Sequence, residues 1–145
     1  ILVLDDGRLG LIDYGQVKHL SLDKRLELAK LMIYLYRDDT EMIVEQVGKM
    51  GLKTKHNDPW IFERVGRFYF DCDSPEVTDG MNMLLFMEYL EKRDPSTVKA
   101  DDYVFPARLR MLISGLHWSL GYTFRASQSW NRWAQKLLDD HGVVV

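Results

Sequence analysis

Only the first thirteen residues of this chain carry a strand pattern, and everything past residue 20 repeats at helical spacing. That asymmetry constrains the fold more than any other feature. Two apolar runs, Ile1 to Leu4 and Leu9 to Ile12, flank Asp5-Asp6-Gly7. An Asp-Gly pair between two apolar runs supplies the positive-φ positions of a tight turn, so residues 1–13 read as a β-hairpin. No third strand of comparable quality follows, although Val143 to Val145 is a short β-prone tail.

Six helices are expected after the hairpin. Ser21 is an N-cap for a helix over 22–37, in which Leu22, Leu26, Ala29, Ile33 and Tyr36 recur on one face. Asp38-Asp39-Thr40 breaks it and caps a second helix, 41–50, that stops at Gly51. Lys53 to Asn57 reads as a polar loop. Asp58-Pro59 places a cap before proline at the first helical position and opens a third helix to about residue 70. Asp71 to Asp79, with Pro75, reads as a loop, and a fourth helix covers 80–92. Lys92 to Asp102 reads as an exposed connector. Pro106 opens a fifth helix with Leu109, Leu112, Ile113, Leu116 and Leu120 on its apolar face, and Arg108 and Arg110 off it. A last helix spans 127–140. The fold class is mainly α, an N-terminal β-hairpin followed by about six helices.

Composition narrows the function classes. At 145 residues with 46% apolar content, the chain can bury a core of its own. The net charge of −3 argues against a non-specific nucleic-acid binder, while leaving room for a local basic patch. The lone Cys72 excludes an internal disulfide and reads as a plain helix residue. No apolar window is long enough for a membrane span. The start inside an apolar run, without an initiator Met, reads as a fragment.

Chemistry concentrates in Leu9-Gly10-Leu11-Ile12-Asp13-Tyr14-Gly15-Gln16. A hairpin whose second strand ends in Asp-aromatic-Gly has the arrangement of a protein-kinase metal motif. Phosphoryl transfer needs Mg²⁺ on the phosphate oxygens, and Mg²⁺ takes hard oxygen ligands while keeping several waters. One carboxylate, Asp13, is therefore a sufficient contribution from this segment. Tyr14 would hold the turn, and Gly15 would let the backbone bend behind the carboxylate.

The run from Ile1 through Lys30 resembles the UbiB (aarF-domain) atypical kinase family. The match lies in Gly10-Leu11-Ile12-Asp13-Tyr14-Gly15-Gln16, Arg25-Leu26 and Leu28-Ala29-Lys30-Leu31, with Pro106, Arg110 and Gly115-Leu116 similar to a distal helix of that family. It is strong over about a quarter of the chain. Tyr14 stands where the family usually has Phe, and Ser114 where an acid often precedes the glycine. The resemblance implies a partial kinase-like domain over 1–145: hairpin and metal motif over 1–20, and a helical C-lobe over 21–145. It implies Mg²⁺ and ATP as cofactors, with Asp13 on the metal and Asp13 and Gly15 at the nucleotide. The family's catalytic Asp, metal-binding Asn and nucleotide-binding Lys would all precede Ile1, so no catalytic residue is expected within this chain.

Only about six residues separate Gly15 from the first helix and no Ala-Pro-Glu follows, which leaves no room for a peptide-docking activation loop. That favours a non-protein substrate or ATPase-like use of the site. The resemblance implies support of ubiquinone or other prenyl-lipid metabolism. It also implies an intracellular, membrane-associated setting in mitochondria, plastids or the bacterial cytoplasm, with nucleotide and a prenyl lipid or membrane surface as partners. The alternative reading is a non-catalytic helical module, a pseudokinase lobe, using apolar faces in 107–138 to hold a protein partner or membrane surface. Asp5 and Asp6 read as turn residues, His19 as a neighbour of the motif and His117 as a helix residue. His56 and His141 read as solvated. Ser127 and Ser129 read as caps, and Trp118, Tyr122, Phe124, Trp130 and Trp133 as core by default, with a lipid- or partner-facing belt near Arg125 and Arg132 as the alternative.

Overall fold

The computed structural model describes residues 1–13, 17–98 and 100–145. It is mainly helical, with an antiparallel hairpin at the N-terminus, as the sequence pattern predicts. Strand β1 (Leu2–Val3) pairs with β2 (Leu9–Gly10) in the register Leu2 to Gly10 and Val3 to Leu9. The Gly7 N–H returns to the Leu4 carbonyl (2.9 Å) and the Leu4 N–H to the Arg8 carbonyl (2.8 Å). Of the turn residues only Gly7 has positive φ, at 80°, so the loop is a three-residue turn closed by glycine rather than an Asp-Gly two-residue turn.

Helix α1 (Leu22–Arg37) begins where Ser21 Oγ accepts from the Lys24 N–H, and it ends where Asp38 turns left-handed. Five consecutive residues, Leu31 to Leu35, are buried, which marks α1 as the central helix rather than a surface one. Asp39 caps α2 (Thr40–Lys49) by accepting from Met42 N–H at 3.2 Å, and Asp58 caps α3 (Pro59–Phe70) by accepting from Trp60 N–H at 3.0 Å. Helix α2 crosses α3 closely at Gly66, where a Cβ would stand 2.8 Å from Ile43 Cγ2 and 3.0 Å from Val47 Cγ2. Only glycine lets the helices approach this far.

A single helical turn, α4 (Pro75–Thr78), interrupts the expected 71–79 loop, and α5 (Met83–Arg93) follows after its Asn82 cap. Phe68 of α3 meets Phe86 of α5 edge to face at 5.0 Å, within a second small core beside the main one. Helix α6 covers Val104–Ser119 and α7 covers Ala126–Asp140. Helix α7 packs along α1, and α6 packs against α3.

Two expectations need correction. The segments around 53–57 and 92–102 are not simply loop and exposed connector. Strand β3 (Lys53–Thr54) pairs antiparallel with β4 (Ser96–Val98). The pairing is organised by Asp94, almost fully buried, which accepts from Thr54 Oγ1 (2.6 Å), His56 N–H (2.8 Å) and Asp58 N–H (3.0 Å). Such a ladder forms between segments more than forty residues apart and leaves no local pattern. Cys72 lies just past the end of α3 rather than in a helix. Among the described residues, no helix is long and apolar enough to cross a membrane.

Candidate functional site

Asp13 follows β2 and its side chain is exposed. Tyr14, Gly15 and Gln16 lie outside the described residues, so the expected role of Gly15 rests on sequence. Beyond them, Lys18 Nζ reaches Asp102 Oδ1 (3.0 Å) and the Asp101 carbonyl (3.3 Å). This contact ties the segment leading into α1 to a 3-10 turn, Asp101–Tyr103. The same turn holds α1 directly, because the buried Tyr103 hydroxyl donates to Glu27, which also accepts from Lys24 Nζ at 2.9 Å. Burial and the Glu27 carboxylate push the Tyr103 phenol well up, so it stays a donor. The path from the hairpin into the helical body is thus fixed at its far end.

Among the described residues no three His, Cys, Asp or Glu side chains gather into a cation site. A single exposed carboxylate fits Mg²⁺ carried on nucleotide phosphates, because that ion takes one or two carboxylates and fills its other positions with phosphate oxygens and water. It does not fit a metal held by this chain alone. Asp6 accepts from the Arg8 N–H (3.1 Å) and Nε (2.7 Å), a turn role as expected. His19 is exposed, and the Nδ1 of His117 bonds the Ile113 carbonyl (2.9 Å) while its ring stacks on Phe124.

No local pattern announces two buried ionic nodes. Asp71 has no exposed surface, and both Nε (2.9 Å) and Nη2 (2.7 Å) of Arg125 bond one of its oxygens. Its other oxygen accepts from the Ser127 N–H (2.8 Å), and its carbonyl accepts from Ala126 N–H (3.0 Å). Asp71, not Ser127, therefore caps α7, and Ser127 sits fully buried inside the first turn. Burial works against the charge of Arg125, but Asp71 outweighs it and raises the guanidinium's pKa. Nearby, burial pushes the Cys72 thiol up, and the Asp71 charge adds to this, which leaves it an unreactive thiol.

The second node turns α6 over. Its buried residues are Ala107, Arg110 and Ser114, not the leucine face. Arg110, 4% exposed, donates through Nη2 to the Phe68 carbonyl, and its Nη1 lies 3.4 Å from Asp73 Oδ1, too long and oblique for a good hydrogen bond. Ser114 Oγ donates to the same Asp73 oxygen at 2.6 Å. Burial lowers the Arg110 pKa against the pull of Asp73. Leu109, Leu112 and Leu116 consequently point outward, and Trp118 (76%), Trp130 (50%) and Trp133 (58%) are exposed rather than in the core. Packing to α3 selects the face with the buried arginine, and amphipathic spacing alone does not reveal that choice.

No protein-family model, no curated protein and no solved structure matches this chain. The fold itself defines a helical domain entered by a β-hairpin; its functional reading rests on the residues above.

Proposed function

We propose that this chain is the hairpin and helical C-lobe of a UbiB-type kinase-like domain, in which Asp13 holds Mg²⁺ on the phosphates of ATP. The observation that carries this reading is an exposed carboxylate three residues past Gly10, the last paired position of an antiparallel hairpin. Mg²⁺ would supply charge neutralisation on the transferred phosphoryl group. Asp13 would orient it, and Gly15 would let the chain turn away behind it. The short lead into α1, anchored by Lys18 on Asp102, leaves the site without a peptide-docking loop, in keeping with a small-molecule or ATPase role and support of prenyl-lipid metabolism at a membrane. Positioning groups supply most phosphoryl-transfer catalysis, and this chain carries one of them, so alone it is inactive. Calorimetry with Mg·ATP tests the proposal on this chain and on a form carrying the parent sequence that precedes Ile1. The longer form should bind nucleotide, and Asp13→Asn should abolish Mg²⁺-dependent binding. Turnover by this chain alone, or indifference of the longer form to Asp13→Asn, would overturn the assignment.

A second reading is favoured by the outward apolar face of α6 and α7: a non-catalytic lobe that docks a partner or membrane through these helices. Liposome flotation and partner binding, each compared with Trp130→Ala and Trp133→Ala, test it. Both readings hold together if a kinase-like lobe also docks.

A further inference from the structure

Helices α6 and α7 do not close on each other. Between them and α1 runs an apolar groove of about 270 Å³. Trp130, Trp133 and Leu137 of α7 line it opposite Leu109 and Ile113 of α6. The α7 set is spaced i, i+3, i+7, the ladder that meets the apolar face of another helix. Leu112, Leu116 and Leu120 are exposed farther along the same chain segment, so apolar side chains recur from Leu109 to Leu120 over roughly 16 Å, about three helical turns. A drug-sized ligand would fill the groove and leave this track bare.

Charge distinguishes the occupant. Residues 103–138 hold five Lys or Arg and no Asp or Glu, in a chain with 22 acids and 19 bases overall. No carboxylate lines the groove. Exposed Arg25 lines its α1 side, and Arg132 lies over the Trp133 ring at 4.9 Å. Neither joins an ion pair among the described residues. The accessible surface of 9539 Å² exceeds the roughly 7,700 Å² expected of a monomer of this mass. A standard protein interface takes about 800 Å² from each partner, so the excess is more than enough for one.

We propose that this groove receives an amphipathic helix of a partner protein, its apolar face seated between α6 and α7 and its acidic residues set against Arg25 and Arg132. The inference deepens the second reading above and rests on it. A bilayer meets a convex or flat surface, whereas the groove is concave between helices. A symmetric second copy would set this cationic patch against an identical one, with no carboxylate of the groove to offset it.

The test uses the whole chain and a labelled amphipathic peptide of about 18 residues, long enough to form helix. Its apolar face is leucine and its polar face glutamate; a control carries lysine instead. Anisotropy should show saturable binding of the acidic peptide at micromolar concentration, at least tenfold weaker for the lysine peptide. Trp133→Ala and the charge-reversed pair Arg25→Glu with Arg132→Glu should each weaken it tenfold or more, with helical circular dichroism unchanged. Both sites are exposed, so two independent variants guard against misfolding. Equal binding of both peptides, or binding of neither, overturns the proposal. Capture by anionic phosphatidylserine vesicles, or self-association in sedimentation, without peptide binding but lost in Trp130→Ala with Trp133→Ala, overturns the helix while sparing the docking reading. Failure of all three overturns both.

Discussion

Arg125 closes two nitrogens, at 2.9 and 2.7 Å, on a single carboxylate oxygen of a fully buried Asp71 and so fixes where α7 begins. The carboxylate reaches α7 from the end of α3, more than fifty residues earlier, and satisfies the Ser127 N–H that the helix cannot. Asp71→Ala therefore removes a charge partner and a helix cap together. We expect a loss of about 3–5 kcal/mol, the usual cost of breaking a buried pair on one side. Arg125→Met leaves the fully buried Asp71 carboxylate without its cation, so it should cost a comparable amount. Urea unfolding of both single variants and the double variant measures this; a loss under about 1 kcal/mol for Asp71→Ala would show the node to be dispensable.

Two glycines in contact with neighbouring helices should respond with opposite signs. At Gly66 an added Cβ meets buried Ile43 at 2.8 Å, and overpacking of that kind costs about 1–3 kcal/mol. At Gly48, in α2, the nearest atom is Phe62 Cε1 at 3.4 Å, an ordinary contact. Gly48→Ala should then gain up to about 1 kcal/mol from helix propensity. Thermal melts of the two variants decide it, and a shared sign would sink the argument.

Strong acid should weaken the β3–β4 corner. Burial disfavours the charge on Asp94, but the hydrogen bonds from Thr54, Asp58 and His56 outweigh it and hold its carboxyl below the usual aspartate range. A carboxyl whose folded pKa lies below its unfolded value contributes stability above the unfolded value, near 4. That contribution disappears as the pH falls through the folded pKa. Asp94→Asn, which turns an amide toward three donors, should therefore be less stable than the parent near pH 6. The gap should narrow toward about pH 3. A gap that stays constant over that range, read from urea midpoints, would count against the linkage.

The inversion of α6 predicts a reversed tolerance to substitution. Leu112 and Leu116 are exposed, so Leu112→Gln should change monomer stability by no more than about 0.5 kcal/mol. Arg110→Leu should cost more, about 1–3 kcal/mol, because it takes the donor from the Phe68 carbonyl and a cation from beside the half-buried Asp73. A conventional reading of the apolar stripe ranks these two the other way round, and equilibrium unfolding separates them.

Helix existence was legible because caps are local. Ser21, Asp39, Asp58-Pro59 and Gly51 announce starts and stops within one or two residues of where the structure has them. The hairpin itself was legible for the same reason, since strands and turn are adjacent in sequence, although its pairing stops at Gly10, three residues short of the exposed Asp13. The two-stranded ladder between β3 and β4 was not, because neither partner has a pattern of its own. The exposure of Trp130 and Trp133 was not legible either; aromatic residues at helical spacing read equally well as core.

What the sequence alone determined is a hairpin, a train of helices and their boundaries, because cap, turn and period-3.6 signals act over a few residues. Which face each helix buries was decided only by the tertiary structure. Helix α6 turns its leucines outward because Arg110 and Ser114 find Phe68 and Asp73 beneath it, and α7 starts where Asp71 receives it. Those partners lie roughly forty to fifty-six residues away along the chain. Buried polar groups demand satisfaction wherever their partners lie, and no local pattern records that demand.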